Sequence, residues 1–266
     1  MKRLPACITA LLLTVAAPLH AQTGTLEFYN DFDPNRPTVI AVHGWFGSID
    51  YPNYFGRSPS YLDRANLIGW EWDAFFFIGP IEKARESGRL LAGEVHGLIT
   101  ADYPDYDQPI QLAGHSLGTH VVTEATLTLR DLGRDDPLGL AYQVNQLTLV
   151  DGGPSPELLQ MRLDDLAYDQ LEDLKIDNYF SPGRDDGVGI PYFNVTNVQM
   201  PLSHGDMWSW YFISLDEPPP GPYPPGAQYS IVGDLAGFDA GELLGWMIAG
   251  RSTPLDPTDD YFRFLR

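Results

Sequence analysis

Apolar and polar positions along the chain fall into two kinds of segment. Short, mostly apolar runs at Thr38–Val42, Leu67–Trp72, Ile110–Ala113 and Gln146–Val150 are bounded by turn residues, and the first of them is continuous. Runs of this kind fit strands buried on both faces of a parallel sheet. Between them, residues 80–101 place Leu90, Leu91, Val95, Leu98 and Ile99 at helical spacing. That spacing predicts a helix packed on the sheet. Thr119–Arg130 reads as a second helix, Leu132–Pro137 as a loop, and Glu157–Gln170 as helix or turn. Thr25–Phe32, Leu174–Phe180 and Tyr192–Val198 read as further strands. Ser203 onward opens an aromatic-rich helix, and Ala240–Ala249 reads as a last short one. Strands alternating with helices predict the α/β class, with a mostly parallel central sheet and helices on both faces. Ligands of such sheets bind at the carboxyl ends of the strands, where Trp45, Ser116 and Asp151 fall.

Composition changes this picture at the N-terminus. Lys2 and Arg3, an apolar run Ile8–Ala17 and the small Ala21 before Gln22 read as an export signal over residues 1–21. The run is too short to span a bilayer comfortably. Residues 22–266 then form one α/β domain, secreted or periplasmic. The lone cysteine, Cys7, lies within the signal, so no disulfide can form after it. The net charge is −20. Without Lys2 and Arg3, 14 basic against 36 acidic residues leave −22. Such a surface argues against nucleic acid and anionic membranes as partners. Nothing in the sequence assigns an oligomeric state.

The chemistry concentrates in Gly114-His-Ser-Leu-Gly118, between the apolar run at 110–113 and the helix that follows. Strand, sharp turn and helix around G-x-S-x-G is the setting of a nucleophile elbow, with Ser116 as nucleophile. The amide of Leu117 then faces the developing oxyanion. A second donor is the amide of Trp45, after the strand ending at His43-Gly44. A serine nucleophile needs a histidine base and a carboxylate that orients it, here in the chain order Ser, acid, His. His120 follows Ser116 within the same helix and reads as structural, as does His96. His204, at a loop-to-helix junction, is the base. The acid is Asp151, at a strand end, or Asp185 or Asp186, in the loop after the next strand. Position alone barely separates these sites. The aromatic stretch Asp73–Phe77 reads either as core or as the lining of an acyl pocket.

Four blocks resemble the pancreatic-lipase-like branch of the α/β-hydrolases: Val39–Trp45, Gly114–Val122, Leu147–Pro154 and Ser203–Leu215. The resemblance spans roughly residues 36–216. It implies an α/β-hydrolase fold, a Ser116–Asp151–His204 triad and oxyanion amides at Trp45 and Leu117. Asp151 matches the family's acid although Gly152-Gly153 replaces the usual Pro-Ala. The family's lid is closed by a disulfide that this chain cannot form, so a large lid and interfacial activation are not expected. The family's C-terminal β-sandwich is not expected either. No cofactor is required. A structural calcium is implied at Glu157, Arg162 and Asp164, with Asp165 or Asp169 in reserve. The spacing differs from the family's, and a solvated acidic helix accounts equally well for these residues.

These readings converge on a secreted serine hydrolase acting on carboxylic esters of acyl lipids. A short-chain carboxylesterase acting on small soluble esters is the alternative within the class. A catalytically silent hydrolase fold that binds lipid or protein is the alternative outside it.

Overall fold

A computed structural model describes residues 23–47, 64–75, 78–135, 144–152, 156–168, 174–181, 195–199, 203–205, 207–208 and 211. The expected signal at 1–21, the loop carrying Asp185 and Asp186, the proline-rich stretch 217–226 and the helix at 240–249 lie outside the described residues.

Seven strands form one sheet: β1 (Gly24–Phe28), β2 (Thr38–Val42), β3 (Asn66–Trp72), β4 (Ile110–His115), β5 (Val144–Val150), β6 (Lys175–Phe180) and β7 (Val195–Gln199). Their spatial order is β1-β3-β2-β4-β5-β6-β7. Only β1 runs antiparallel, pairing Gly24 with Trp72 and Phe28 with Ile68. The other neighbours are parallel. Every residue of β2 is buried, as the unbroken apolar run predicts, while the edge strand β1 is largely exposed. Strands β2, β3 and β5 end where their apolar runs end, β4 continues to His115, and β1 stops at Phe28, short of the expected Phe32.

Three helices are α1 (Pro80–Gly97), α2 (Gly118–Asp135) and α3 (Pro156–Tyr168). A π-helical turn, Leu98–Asp102, extends α1. Alternation along β4 separates the two faces of the sheet. Gly114 points to α2, since a Cβ there would meet Gly118 O at 2.4 Å and Val122 Cγ2 at 2.7 Å. Gln111 and His115 point the other way. Gln111 Nε2 donates to Tyr211 Oη at 2.8 Å, and the His115 ring stacks on Trp208 at 5.4 Å. Helical residues thus cover both faces. On the face of Gln111 the strands carry buried polar groups. Gln111 also donates to Thr148 Oγ1, and Gln146 donates to Asp177. The side-chain amides of Gln111 and Gln146 thus donate to buried acceptors, which is the condition for tolerating them.

Two expectations are corrected. Leu90 does not pack on the sheet; it is exposed, while Leu91, Val95 and Ile99 are buried. On this helix Gly88 takes the face against α2, and Ser87 the face against the sheet, where it accepts from Trp70 Nε1. The second helix does not stop at Arg130 but continues to Asp135, through the predicted loop. Leu132 packs against the core there and offsets the cost of Gly133.

Helix α1 lies tight on α2. A Cβ on Gly88 would sit 2.5 Å from Val121 O and 2.8 Å from Glu124 Cβ. Arg89 of α1 and Arg162 of α3 both pair with the buried Glu124 of α2, at 2.9 and 2.8 Å, and join the three helices. Gly88→Ala should therefore destabilise. Alanine gains about 1 kcal/mol in helix propensity, but overpacking costs about 1–3 kcal/mol. The clash is with backbone, which cannot rotate away. A thermal melt should show a drop of several degrees; an unchanged or raised midpoint would mean that the helices are not this close.

Candidate active site

The site begins with backbone geometry. Strand β4 ends at His115, α2 begins at Gly118, and Ser116 lies between them with φ 53°. An L-residue in this left-handed region is strained by roughly 1–2 kcal/mol. The strained turn is locked from several sides. Ser116 N–H donates to Val150 O at 2.9 Å, and Ser116 O accepts from Thr119 N–H at 3.1 Å and from Thr119 Oγ1 at 2.6 Å. Both glycines of the motif are required by close approach. Besides the contact at Gly114, a Cβ on Gly118 would stand 2.5 Å from Val42 O. A third glycine belongs with them, because a Cβ on Gly44 would lie 2.7 Å from Ser116 Cβ. The loop after β2 and the elbow after β4 are thus pressed together at the carboxyl edge of the sheet.

The structure brings Ser116, His204 and Asp151 into one line. His204 Nε2 lies 2.9 Å from Ser116 Oγ, and His204 Nδ1 lies 2.5 Å from Asp151 Oδ2. An ionised carboxylate only accepts hydrogen bonds. Nδ1 therefore carries the proton and donates to Asp151, which leaves Nε2 as the acceptor for the Ser116 hydroxyl. Asp151 is fully buried, Ser116 nearly so, and the His204 side chain is 38% exposed. Burial pushes the Asp151 carboxyl up. Hydrogen bonds from His204 and Ser181, with the charge of a protonated His204, outweigh it and hold the group below the usual carboxylate range. Asp185 and Asp186, the other acid candidates, lie outside the described residues.

Supporting residues escaped the sequence reading. Ser181 holds the far side of the acid: its N–H and Oγ donate to Asp151 Oδ1 at 2.8 and 2.9 Å. His115, inside the elbow motif itself, donates from Nε2 to the backbone carbonyl of His204 at 3.0 Å. Its ring lies 4.7 Å from that of His204 and stacks on Trp208. A histidine immediately before the serine of the motif, on the strand face opposite its helix, was the available signal. His96 and His120 sit in α1 and α2, and His120 is buried.

Of the two expected oxyanion amides, Leu117 opens the elbow turn with its side chain fully buried. Trp45 follows Gly44, in a turn closed by Gly47 N–H to Gly44 O at 3.1 Å. The next residue, Phe46, has φ 55°. Trp45, Phe46 and Phe75 are large apolar side chains at the surface, exposed by 37%, 51% and 61%. Trp45 stacks on Phe46, and Phe46 meets Phe75 edge-on. Phe75 is therefore not core; Phe76 and Phe77 lie outside the described residues.

The calcium expectation meets a different arrangement. Arg162 pairs with Glu124 and Asp165, each at 2.8 Å, and Asp164 is exposed. The side chain of Glu157 and Asp169 lie outside the described residues. Among the described residues no three His, Cys, Asp or Glu side chains gather into a metal-binding group. Asp165, one of the reserve ligands, is turned onto the Arg162 guanidinium.

No protein-family model and no curated protein matches the chain. Solved structures with a related fold include acyl-protein thioesterase 2 of Zea mays, at 12% identity and TM-score 0.43, over 67% of this chain and 90% of that one. The NocB thioesterase domain from the nocardicin cluster is similar at 16% identity and TM-score 0.42, over 70% and 90%. An esterase of Pyrobaculum calidifontis is similar at 16% identity and TM-score 0.41, over 69% and 76%. At these values the likeness carries no inference about chemistry, and the architecture is read from the chain itself. One antiparallel edge strand, six parallel strands in the order β3-β2-β4-β5-β6-β7, and a strand–turn–helix elbow at the central β4 make this an α/β-hydrolase fold.

Proposed function

We propose that the chain is an exported serine hydrolase that cleaves carboxylic esters of acyl lipids through an acyl-enzyme. The observation that carries this reading is the unbroken hydrogen-bond line from Ser116 Oγ through His204 to Asp151. Ser116 Oγ attacks the ester carbonyl carbon while His204 Nε2 takes the hydroxyl proton. Asp151 holds the imidazole in the required tautomer and stabilises the imidazolium that forms. The amides of Leu117 and Trp45 donate to the oxyanion, a term worth about 3–4 kcal/mol per donor in such sites. The tetrahedral intermediate collapses as His204 returns the proton to the leaving alcohol oxygen. A water, deprotonated by His204, then attacks the acyl-serine, and collapse releases the acid and restores Ser116.

The acyl-lipid part of the proposal rests on the exposed aromatic group Trp45, Phe46 and Phe75, which begins one residue after the Gly44 that abuts Ser116, and on the resemblance to the pancreatic-lipase-like branch. An apolar surface of this kind suits an alkyl chain better than a polar acyl group. Export rests on the signal-like residues 1–21.

The test is a series of esters from short to long acyl chain, on the exported protein, whose intact mass should begin at Gln22. The expected result is hydrolysis with kcat/KM rising with chain length, and no jump in rate when substrate exceeds its solubility. A fall with chain length would favour the short-chain carboxylesterase. An absence of turnover on the whole series would overturn the reading.

A further inference from the structure

The residue before the oxyanion loop has an unassigned role. His43 is 3% exposed at the end of β2. Its Nδ1 lies 2.9 Å from Gly44 O. A carbonyl oxygen only accepts, so Nδ1 carries the proton and donates. The same oxygen accepts from Gly47 N–H. The Gly44 carbonyl is therefore held by two donors. A Cβ on Gly47 would lie 3.0 Å from Gly44 O, His43 Cβ and His43 Nδ1, so the turn closes directly over this pair.

Gly44 O and Trp45 N–H belong to one planar trans peptide, in which C=O and N–H point in opposite directions. Fixing the carbonyl fixes the amide. The need for this is local. Gly44 is glycine because any Cβ would meet Ser116 Cβ. Glycine is also the residue at which the following peptide turns over most easily. An oxyanion donor must be preorganised, yet here it follows the most permissive residue in the loop. We propose that His43 is the positioning residue that resolves this conflict, clamping the Gly44–Trp45 peptide so that the Trp45 N–H stays aimed at the oxyanion. The assignment rests on the serine-hydrolase reading above.

The ring is itself held. It stacks on Trp72 at 5.8 Å between centroids, and Trp72 Nε1 donates to His43 O at 3.1 Å. Nε2 lies 3.5 Å from both Trp72 N and Glu71 Oε1. These contacts hold the ring plane, with Nδ1 donating to Gly44 O. His43 touches neither substrate nor the Ser116 hydroxyl, so its effect is indirect.

Amide side chains separate the two ends of the ring. In His43→Asn the Nδ2 group stands close to where Nδ1 was and can still donate to Gly44 O. In His43→Gln the amide falls near Nε2, and the clamp is lost while bulk is kept. His43→Ala removes both. The readouts are kcat and KM on an ester the wild type cleaves, and the affinity of an alkylboronate, which forms a tetrahedral anionic adduct on serine. Thermal melts of all variants accompany them. His43→Gln and His43→Ala should lose about 10–100-fold in kcat, part of what losing an oxyanion donor entails. KM should change little, and boronate affinity should fall in parallel with kcat/KM. His43→Asn should recover most of both.

A His43→Gln variant as active as His43→Asn would overturn the clamp. So would a loss in KM alone, or boronate affinity unchanged in the slowed variants. These failures leave the hydrolase reading standing. A wild type that turns over no ester overturns that reading, and this assignment with it.

Discussion

Ser116→Ala is expected to lower kcat by about five to six orders of magnitude while leaving the fold in place. The side chain lost is one oxygen. That oxygen carries the attacking lone pair and receives the acyl group, and alanine offers neither. What survives is the binding surface and the oxyanion amides, which in comparable sites leave roughly 10³–10⁴-fold over water. Stability should move far less. Alanine keeps the Cβ and so keeps the strain at φ 53°. The folded state loses one exchangeable hydrogen bond to His204, worth about 1 kcal/mol. A thermal midpoint close to wild type together with vanished turnover is the expected pattern. A fluorophosphonate probe should label the wild type at Ser116 and leave the variant unlabelled. Labelling of both to the same extent would place the nucleophile elsewhere.

The elbow was legible in the sequence for a reason now visible in atoms. Gly44, Gly114 and Gly118 leave no room for a Cβ, so a strained turn of this kind forces a glycine signature on the chain. The buried strands were legible because strands covered on both faces are rich in apolar residues, even where Gln111, Gln146 and Thr148 interrupt them. The edges of elements were less so. Nothing local in Leu132-Gly133-Arg134 says that α2 continues; Leu132 finding the core says it. Leu90 read as core because helical spacing cannot show that Gly88 takes the face against α2.

Beyond Ser116, Asp151 and His204, side-chain partnerships between distant parts of the chain were not legible. Ser181 meets Asp151 across 30 positions, and His115 meets the His204 carbonyl across 89. Neither pair has a spacing rule: the first depends on where β5 and β6 end side by side, the second on His204 lying over the end of β4. β5 and β6 pair Val150 with Tyr179, and that register carries Asp151 N–H onto Tyr179 O and Ser181 onto the carboxylate. His43 was hidden in another way. It acts on the residue next to it, but through a peptide orientation that no residue pattern records.

The acid was left between three carboxylates by position, and its substitution is the second large effect. Asp151→Asn should cost about 10⁴-fold in kcat with little change in KM. The reason lies in what surrounds the carboxylate. Ser181 N–H and Oγ both donate to Oδ1, so an amide placed here turns its own oxygen toward them. Its NH₂ then faces His204 Nδ1, 2.5 Å from the old Oδ2. To accept from it, the imidazole must move its proton to Nε2. That nitrogen faces Ser116 Oγ, and it can no longer take the hydroxyl proton. The backbone should tolerate the change, since Asp151 has φ 47° and asparagine enters this region more readily than most residues. Stability against pH gives an independent check. Asp151 is held below the usual carboxylate range in the folded state despite its burial. Its contribution is therefore fully present above the unfolded carboxyl value of about 4 and is lost as pH falls through the lower folded value. Asparagine lacks that titration. The gap in melting temperature between wild type and Asp151→Asn should be wide near neutrality and close in acid. If Asp185→Asn or Asp186→Asn shows the large kinetic loss and Asp151→Asn does not, the buried carboxylate against His204 is structural and the orienting acid lies after β6.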